Sequence, residues 1–228
     1  LAITLVGIRT IKNFALWSAV FSLMPNPKCG PFDLKSLWQD SLRRGLFARA
    51  FGKALGVKEA EELFAASLLQ DMAVPLLAKE QPQKYLKLLE ARTDGESRLS
   101  DLERAEFGWT HAEAGGYMAR HWSLPEAFAK LIEAHTDLDR LMAEKSKESG
   151  TLSVALSALL PANHDEQWYE RAKFIAAFDT LAVGRGKNVA ELFAQIDAEF
   201  DEFAPVLKLG TPAKSLVQHL TAEHTVKA

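Results

Sequence analysis

The run Ala65-Ala66-Ser67-Leu68-Leu69-Gln70-Asp71-Met72 ends in an amide beside a carboxylate, after a stretch of small and apolar residues. Asp71 offers a hard oxygen donor, whereas the neutral amide oxygen of Gln70 is a weak ligand for zinc or iron. The other groups able to hold an ion or a proton are scattered: carboxylates such as Asp40 and Asp179, and six histidines. His121 lies ten residues after His111, not a whole number of helical turns, and is expected at the surface or a boundary. His164, His219 and His224 fall in loop or tail segments, where no metal role is expected. The single cysteine, Cys29, sits in the turn-rich stretch Pro25 to Pro31 with no neighbour in sequence to activate it. Gly184-Arg185-Gly186-Lys187 lacks the full spacing of a phosphate loop and a preceding strand, and reads as a turn ending a helix.

The elements that must position these groups are helices. In 228 residues, 48% are hydrophobic and 25% charged, the balance of a folded chain with a sizeable core. A net charge of -3 offers no attraction for phosphate backbones or anionic lipid, so neither nucleic-acid binding nor membrane insertion is expected. The apolar run Phe14 to Met24 is too short to span a bilayer and reads as a buried helix. One cysteine cannot form an internal disulfide, which fits a reducing, cytoplasmic setting.

Apolar residues recur at helical spacing almost throughout, with no convincing strand or hairpin. The first helix carries Ile3, Val6, Ile8, Ile11, Phe14, Trp17, Val20 and Phe21 and stops at Pro25. A second spans about Asp33 to Leu55, with Gly56 as its stop. A third runs from Lys58 to Met72, broken by Pro75. Pro82 opens a helix to Ala91, and Asp94-Gly95 marks a turn. Ser100 with Glu103, Thr110 with Glu113, and Ser123 with Glu126 have capping-box spacing and predict three helix starts. Two short helices are expected between Asp137 and Leu160, with Ser149-Gly150 between them. A long one runs from Glu166 to Val183, and the next, capped at Asn188, reaches Phe203. A last helix follows Thr211-Pro212. Gly115-Gly116 inside a helix predicts close approach of a neighbouring helix. Trp109 and Trp122 flank the same helix as packing residues that could line a pocket. The expectation is an all-α, compact multi-helix bundle forming one domain over 1-228. The chain begins inside a helical pattern and reads as a piece of a longer protein.

Several stretches, in order, resemble one family. Gly7-Ile8-Arg9-Thr10-Ile11-Lys12-Asn13-Phe14 resembles the Leu-Gly-x-x-x-Leu-x-Asn helix of the HDOD domain, the HD-related output domain of bacteria. Leu37-Trp38-Gln39-Asp40-Ser41 is similar to its first helix motif, and His111-Ala112-Glu113-Ala114-Gly115 to its His-x-x-x-Gly segment. Trp122-Ser123-Leu124-Pro125 with Ile132-Glu133-Ala134-His135 resembles its Trp-x-Leu-Pro…Ile-x-x-His signature. Phe178-Asp179-Thr180-Leu181-Ala182 is similar to the late Ala-Asp-x-Leu-Ala helix, and the likeness covers about Leu1 to Ala182. It implies further family helices upstream of Leu1.

HD and HD-GYP phosphohydrolases hold divalent ions on imidazoles and carboxylates from several helices, and the ions sharpen a bound water and neutralise the phosphate. Carried onto this chain, the resemblance places Asp40 where the first histidine would be and Gln70 in place of the second. Asp71 and Asp179 are retained, and His111 and His135 fall where HD-GYP enzymes carry further histidines. The Gly-Tyr-Pro signature is absent, since Gly116-Tyr117 runs into Met118. With two imidazoles lost, the resemblance implies a degenerate HD pocket of Asp40, Gln70, Asp71, His111, His135 and Asp179. No catalytic residues and no cofactor are expected; weak Mg²⁺ or Mn²⁺ binding by the remaining carboxylates and histidines is the sharper option. The weightier one is a buried polar network of histidines with Asp71 or Asp179.

The expected function is therefore a non-catalytic regulatory domain of bacterial signal transduction, acting on a signalling partner, an upstream domain or a small ligand. The alternatives are a metal-dependent phosphohydrolase with an atypical ligand set, and a structural oligomerisation module whose pocket is filled by side chains.

Overall fold

The computed structural model describes residues 8–92, 95–186 and 188–222. Ile3, Val6 and Gly7 of the first expected helix, Asp94, Lys187 and His224 lie outside the described residues. Among the described residues every regular element is a helix. In chain order these are α1 (Ile8–Leu23), α2 (Leu34–Ala54), α3 (Ala60–Leu69), α4 (Ala73–Glu80), α5 (Pro82–Ala91), α6 (Leu99–Phe107) and α7 (His111–His121). There follow α8 (Glu126–Ala134), α9 (Leu138–Ala143), α10 (Ser149–Ser157), α11 (Arg171–Ala182), α12 (Val189–Phe203) and α13 (Leu216–Thr221).

Local chemistry accounts for many of the boundaries. Asp33 caps α2, its Oδ2 accepting the Ser36 amide at 2.8 Å, and Gly56 ends the hairpin turn at φ +85°. Thr110 and Glu113 form a reciprocal capping box on α7. The other two expected boxes do not form. Helix α6 starts one residue before Ser100, with Arg98 at its N-cap, and Glu103 turns inward. Helix α8 starts after Pro125, and Glu126 pairs with Arg120 at 3.1 Å. Ser149-Gly150 opens α10 instead of separating two helices, and residues 166–170 stay outside α11.

Helix α2 is the hub, packing on α3, α10 and α12. Its Phe47 and Phe51 meet Phe174 and Phe178 of α11 at 5.4 and 4.9 Å between ring centroids. Phe193 of α12 and Trp168 complete this aromatic core. Each such ring contributes about 1.5–3 kcal/mol by leaving water. Helices α7 and α8 approach closely because Gly115 and Gly116 have no side chain; an added Cβ would lie 2.9 Å from Ile132 Cγ2 and from Glu133 Cβ respectively. That approach brings the start of α7 and the end of α8 together, with the end of α3 between them.

Candidate functional site

Five helices bring their termini or inner faces to one buried cluster. Asp71 follows the C-terminus of α3, His111 is the first residue of α7, and His135 caps the end of α8. Arg44 projects from α2, and Glu103 from α6. His111 Nε2 lies 3.2 Å from His135 Nε2 and 3.3 Å from Asp71 Oδ1, and His135 Nε2 lies 3.5 Å from that oxygen. The other Asp71 oxygen accepts a hydrogen bond from Arg44 Nη1. Glu103 Oε2 accepts from both the amide and Nδ1 of His111, at 2.7 and 2.6 Å. Its Oε1 accepts the hydroxyl of the buried Tyr85. A carboxylate at the first amide of α7 also suits the positive end of that helix.

The hydrogen bonds settle where the protons are. His135 Nδ1 donates to the Ile132 carbonyl at 2.6 Å, which leaves its Nε2 as an acceptor. Burial lowers the His135 pKa and outweighs the pull of Asp71, so this ring is neutral. For His111, burial also disfavours the cation, but Glu103 and the hydrogen bonds to Asp71 and Glu103 win, and its pKa is pushed up to about 10. His111 is therefore an imidazolium whose Nε2 proton is shared between His135 and Asp71. Burial pushes the Asp71 pKa up, yet Arg44 and the two histidines overcome it and hold the carboxyl well below the usual range. Two cations, Arg44 and His111, face two anions, Asp71 and Glu103, so the cluster is neutral and every charge has a partner.

The six residues expected to share a pocket do not all do so. Asp40, Asp71, His111 and His135 line one cavity. Gln70 is fully buried but turned toward α10, its Oε1 accepting from Ser157 Oγ at 3.3 Å. Asp179 is exposed on α11, because Phe174 and Phe178 turn the opposite face of that helix into the core. One residue beyond Phe178 is about 100° around the helix, which carries Asp179 to solvent. His219, expected in a loop or tail, is instead buried on α13. Trp109 stacks on Phe107 at 5.1 Å, and Trp122 is half exposed; Trp168 is the tryptophan that lines the cavity.

This placement decides which ions the residues suit. The ligand set that the resemblance implies is not assembled here: Gln70 points away, Asp179 is exposed on α11, and Asp40 offers an oxygen and no imidazole nitrogen. Asp71, His111 and His135 alone converge. Their spacing equals the edge of a tetrahedron, since ligand atoms around an ion held at 2.0–2.1 Å lie about 3.3 Å apart. A dication there would displace the shared proton of His111 and leave the neutral cluster with an excess positive charge.

Sequence reasoning missed Arg44, Glu103 and Tyr85. Arg44 carries a signal, four residues after Asp40 and so on the same helix face. Glu103 carried a misleading one, its capping-box spacing from Ser100.

The cavity beside the cluster measures about 330 Å³, within the range of small-ligand sites. Its walls mix apolar groups (Phe32, Leu37, Leu99, Tyr169) with Arg92, Arg98, Asp165 and Glu170. Asp40 lines it too, buried, with Oδ1 accepting the Asn163 amide at 2.8 Å. Burial raises the Asp40 pKa over the opposing charges of Arg44 and Arg43. Helix by helix, no element is long and apolar enough to cross a membrane among the described residues.

Known proteins share this architecture. A candidate phosphohydrolase from Shewanella amazonensis SB2B matches with a TM-score of 0.63 and 18% identity, over 96% of this chain and 76% of its own. An HDOD domain protein of unknown function from Geobacter sulfurreducens matches with a TM-score of 0.60 and 20% identity, over 91% and 71%. At these identities the likeness is one of fold. An uncharacterized protein of Treponema pallidum (strain Nichols) is 24% identical over 155 residues, which span 68% of this chain and 30% of that protein. The chain thus covers less than a third of that curated relative. The HDOD domain itself matches residues 1–138, the stretch that supplies Asp40, Arg44, Asp71, Glu103, His111 and His135 around the cavity, and the chain belongs to the HDOD domain family.

Proposed function

We propose that this domain is a non-catalytic regulatory module that binds a small ligand in the cavity beside the Asp71 cluster and passes the event to a partner or a neighbouring domain. The observation that carries the reading is the closed charge balance of Arg44, Asp71, His111 and Glu103. Where an HD enzyme needs bare imidazole nitrogens, the one on His111 holds a proton, and a guanidinium occupies the second oxygen of Asp71. That balance opposes a dication, the agent that would lower the pKa of a water and neutralise a phosphate under attack. The open cavity next to it also argues against a pocket filled by its own side chains. The family's place in bacterial signalling supports the regulatory role.

Metal analysis with a phosphodiesterase assay tests this. Purified protein is expected to hold no stoichiometric transition ion and to leave bis(p-nitrophenyl) phosphate intact, with or without added Mn²⁺. A stoichiometric ion together with hydrolysis that disappears in Asp71→Ala would overturn the reading.

One observation favours a second reading, a phosphohydrolase with an atypical ligand set: the tetrahedral spacing of the two Nε2 atoms and Asp71 Oδ1. Under that reading, two imidazoles and one carboxylate prefer a zinc-like ion to Mg²⁺ or Mn²⁺. The same assay run with added Zn²⁺ distinguishes it.

A further inference from the structure

The cavity's charges are unequal in a way that selects a ligand. Every arginine facing it is already committed to a carboxylate. Arg92 grips Asp165 through both ends of its guanidinium, at 2.6 and 2.5 Å, and its Nη1 also meets His164 Nε2 at 2.9 Å. Arg44 holds Asp71, and Arg98 Nε lies 3.4 Å from Glu170. Three carboxylates facing the same space, Asp33, Asp40 and Glu90, have no cation within ion-pair reach among the described residues. Asp33 is spent on Ser36 as a helix cap and Glu90 is exposed at the rim. Asp40 is different: it is 4% exposed, only its Oδ1 is hydrogen-bonded, and the second oxygen makes no hydrogen bond among the described residues.

We propose that the cavity takes a small molecule carrying a protonated amine on an apolar body, with the ammonium docked on Asp40, and that it discriminates against phosphorylated ligands. The proposal rests on reading the cavity as a ligand site. Arg44 and Arg43 act on this buried carboxyl only from beyond ion-pair contact, so an ammonium placed directly on its second oxygen would add a charge-assisted hydrogen bond that the protein does not supply. The apolar body would lie against Leu37, Leu99 and Phe32, and Tyr169, a partly exposed wall residue, adds an aromatic ring of the kind that attracts cations. A phosphate would have to pull Arg44 or Arg92 from its carboxylate or settle for Arg98 at the wall, and it would meet the uncompensated charge of Asp40 in either place.

Three probes of similar size separate charge from shape: 2-phenylethylamine, 2-phenylethanol and phenyl phosphate. Their affinities for the full chain are measured by isothermal titration calorimetry in buffer with EDTA, which removes divalent ions as mediators. The amine should bind at least about tenfold more tightly than the alcohol, the return of one charge-assisted hydrogen bond, and the phosphate more weakly than either. In Asp40→Asn, which keeps an acceptor for the Asn163 amide, the advantage of the amine over the alcohol should vanish. If that variant does not fold, the wild-type ranking decides alone. The proposal is overturned if the phosphate binds most tightly, if the amine is no better than the alcohol, if the amine does not bind, or if its advantage survives in Asp40→Asn. Phosphate bound most tightly would sink this ligand class alone; hydrolysis of the same ester once EDTA is replaced by Zn²⁺ or Mn²⁺ would sink the non-catalytic reading.

Discussion

Arg43 and Arg44 are neighbours in sequence and meet opposite fates. Arg44 points to the cavity cluster, where Asp71 pairs with it and raises its pKa against the effect of burial. Arg43, about 100° around the same helix, enters the packing of α2 against α12 and α13. There it has one hydrogen bond, from Nη2 to the Lys214 carbonyl, and lies 5.7 Å from the centre of the Phe200 ring. Its Nε and Nη1 have no partner, and burial lowers its pKa. Asp40, Asp197 and Asp201 act on it only through space, and Asp197 is spent on the amides of Leu216 and Val217 at 2.9 and 3.1 Å, capping α13. His219 beside it is likewise buried with Nε2 unpartnered, and burial with the Arg43 charge pushes its pKa down to about 4.

The two regions bury charge in different ways. Around Asp71 each buried charge has a counter-charge and a directed hydrogen bond, an arrangement that persists only when all its members are present. Arg44 Nε is the one guanidinium nitrogen there buried without a partner among the described residues. Around Arg43 a buried charge is tolerated on a carbonyl and a ring face. The first region is a built polar site, and the second is a packing compromise.

Removing one member from each region should separate them most sharply. Asp71→Ala leaves Arg44 and His111 as buried cations with no anion between them, and should cost about 3–5 kcal/mol in urea unfolding. A loss under about 1 kcal/mol, the ordinary scale of a surface pair, would break the contrast. Arg43→Met exchanges an under-partnered guanidinium for an apolar chain of similar length. The change should fall within about 1 kcal/mol of zero or stabilise the fold. A loss as large as that of Asp71→Ala would show that Arg43 is held by more than its carbonyl and ring.

Much of this was legible in the sequence, for identifiable reasons. Helical spacing gave the bundle, and Asp33, Gly56, Pro82, Thr110 and Asn188 marked boundaries because each has one local use there. Asp40, Asp71, His111 and His135 were placed by family resemblance, and the cavity collects all four. The failures come from patterns that local sequence cannot resolve. Ser100 and Glu103 have the spacing of a capping box, but the helix begins before Ser100, which frees Glu103 to meet Tyr85 and His111 from the inside. Asp179 is a single step from Phe178, and that step decides between core and solvent. Gln70 and Asp71 are adjacent at a helix end, and spacing alone does not show that Asp71 faces the cavity while Gln70 turns to Ser157. The protonation of His111 is invisible in sequence because it depends on Glu103 and Asp71 arriving from two other helices.

If a proton and Arg44 occupy the place an HD enzyme gives to metal, the histidine ring nitrogens carry the signature. The most direct test is a ¹⁵N NMR measurement of the histidine ring nitrogens at pH 8. His111 should carry protons on both nitrogens, with a pKa near 10, while His135 is neutral and protonated at Nδ1. A His111 ring that is neutral at pH 8, with Nε2 bare, would contradict the account.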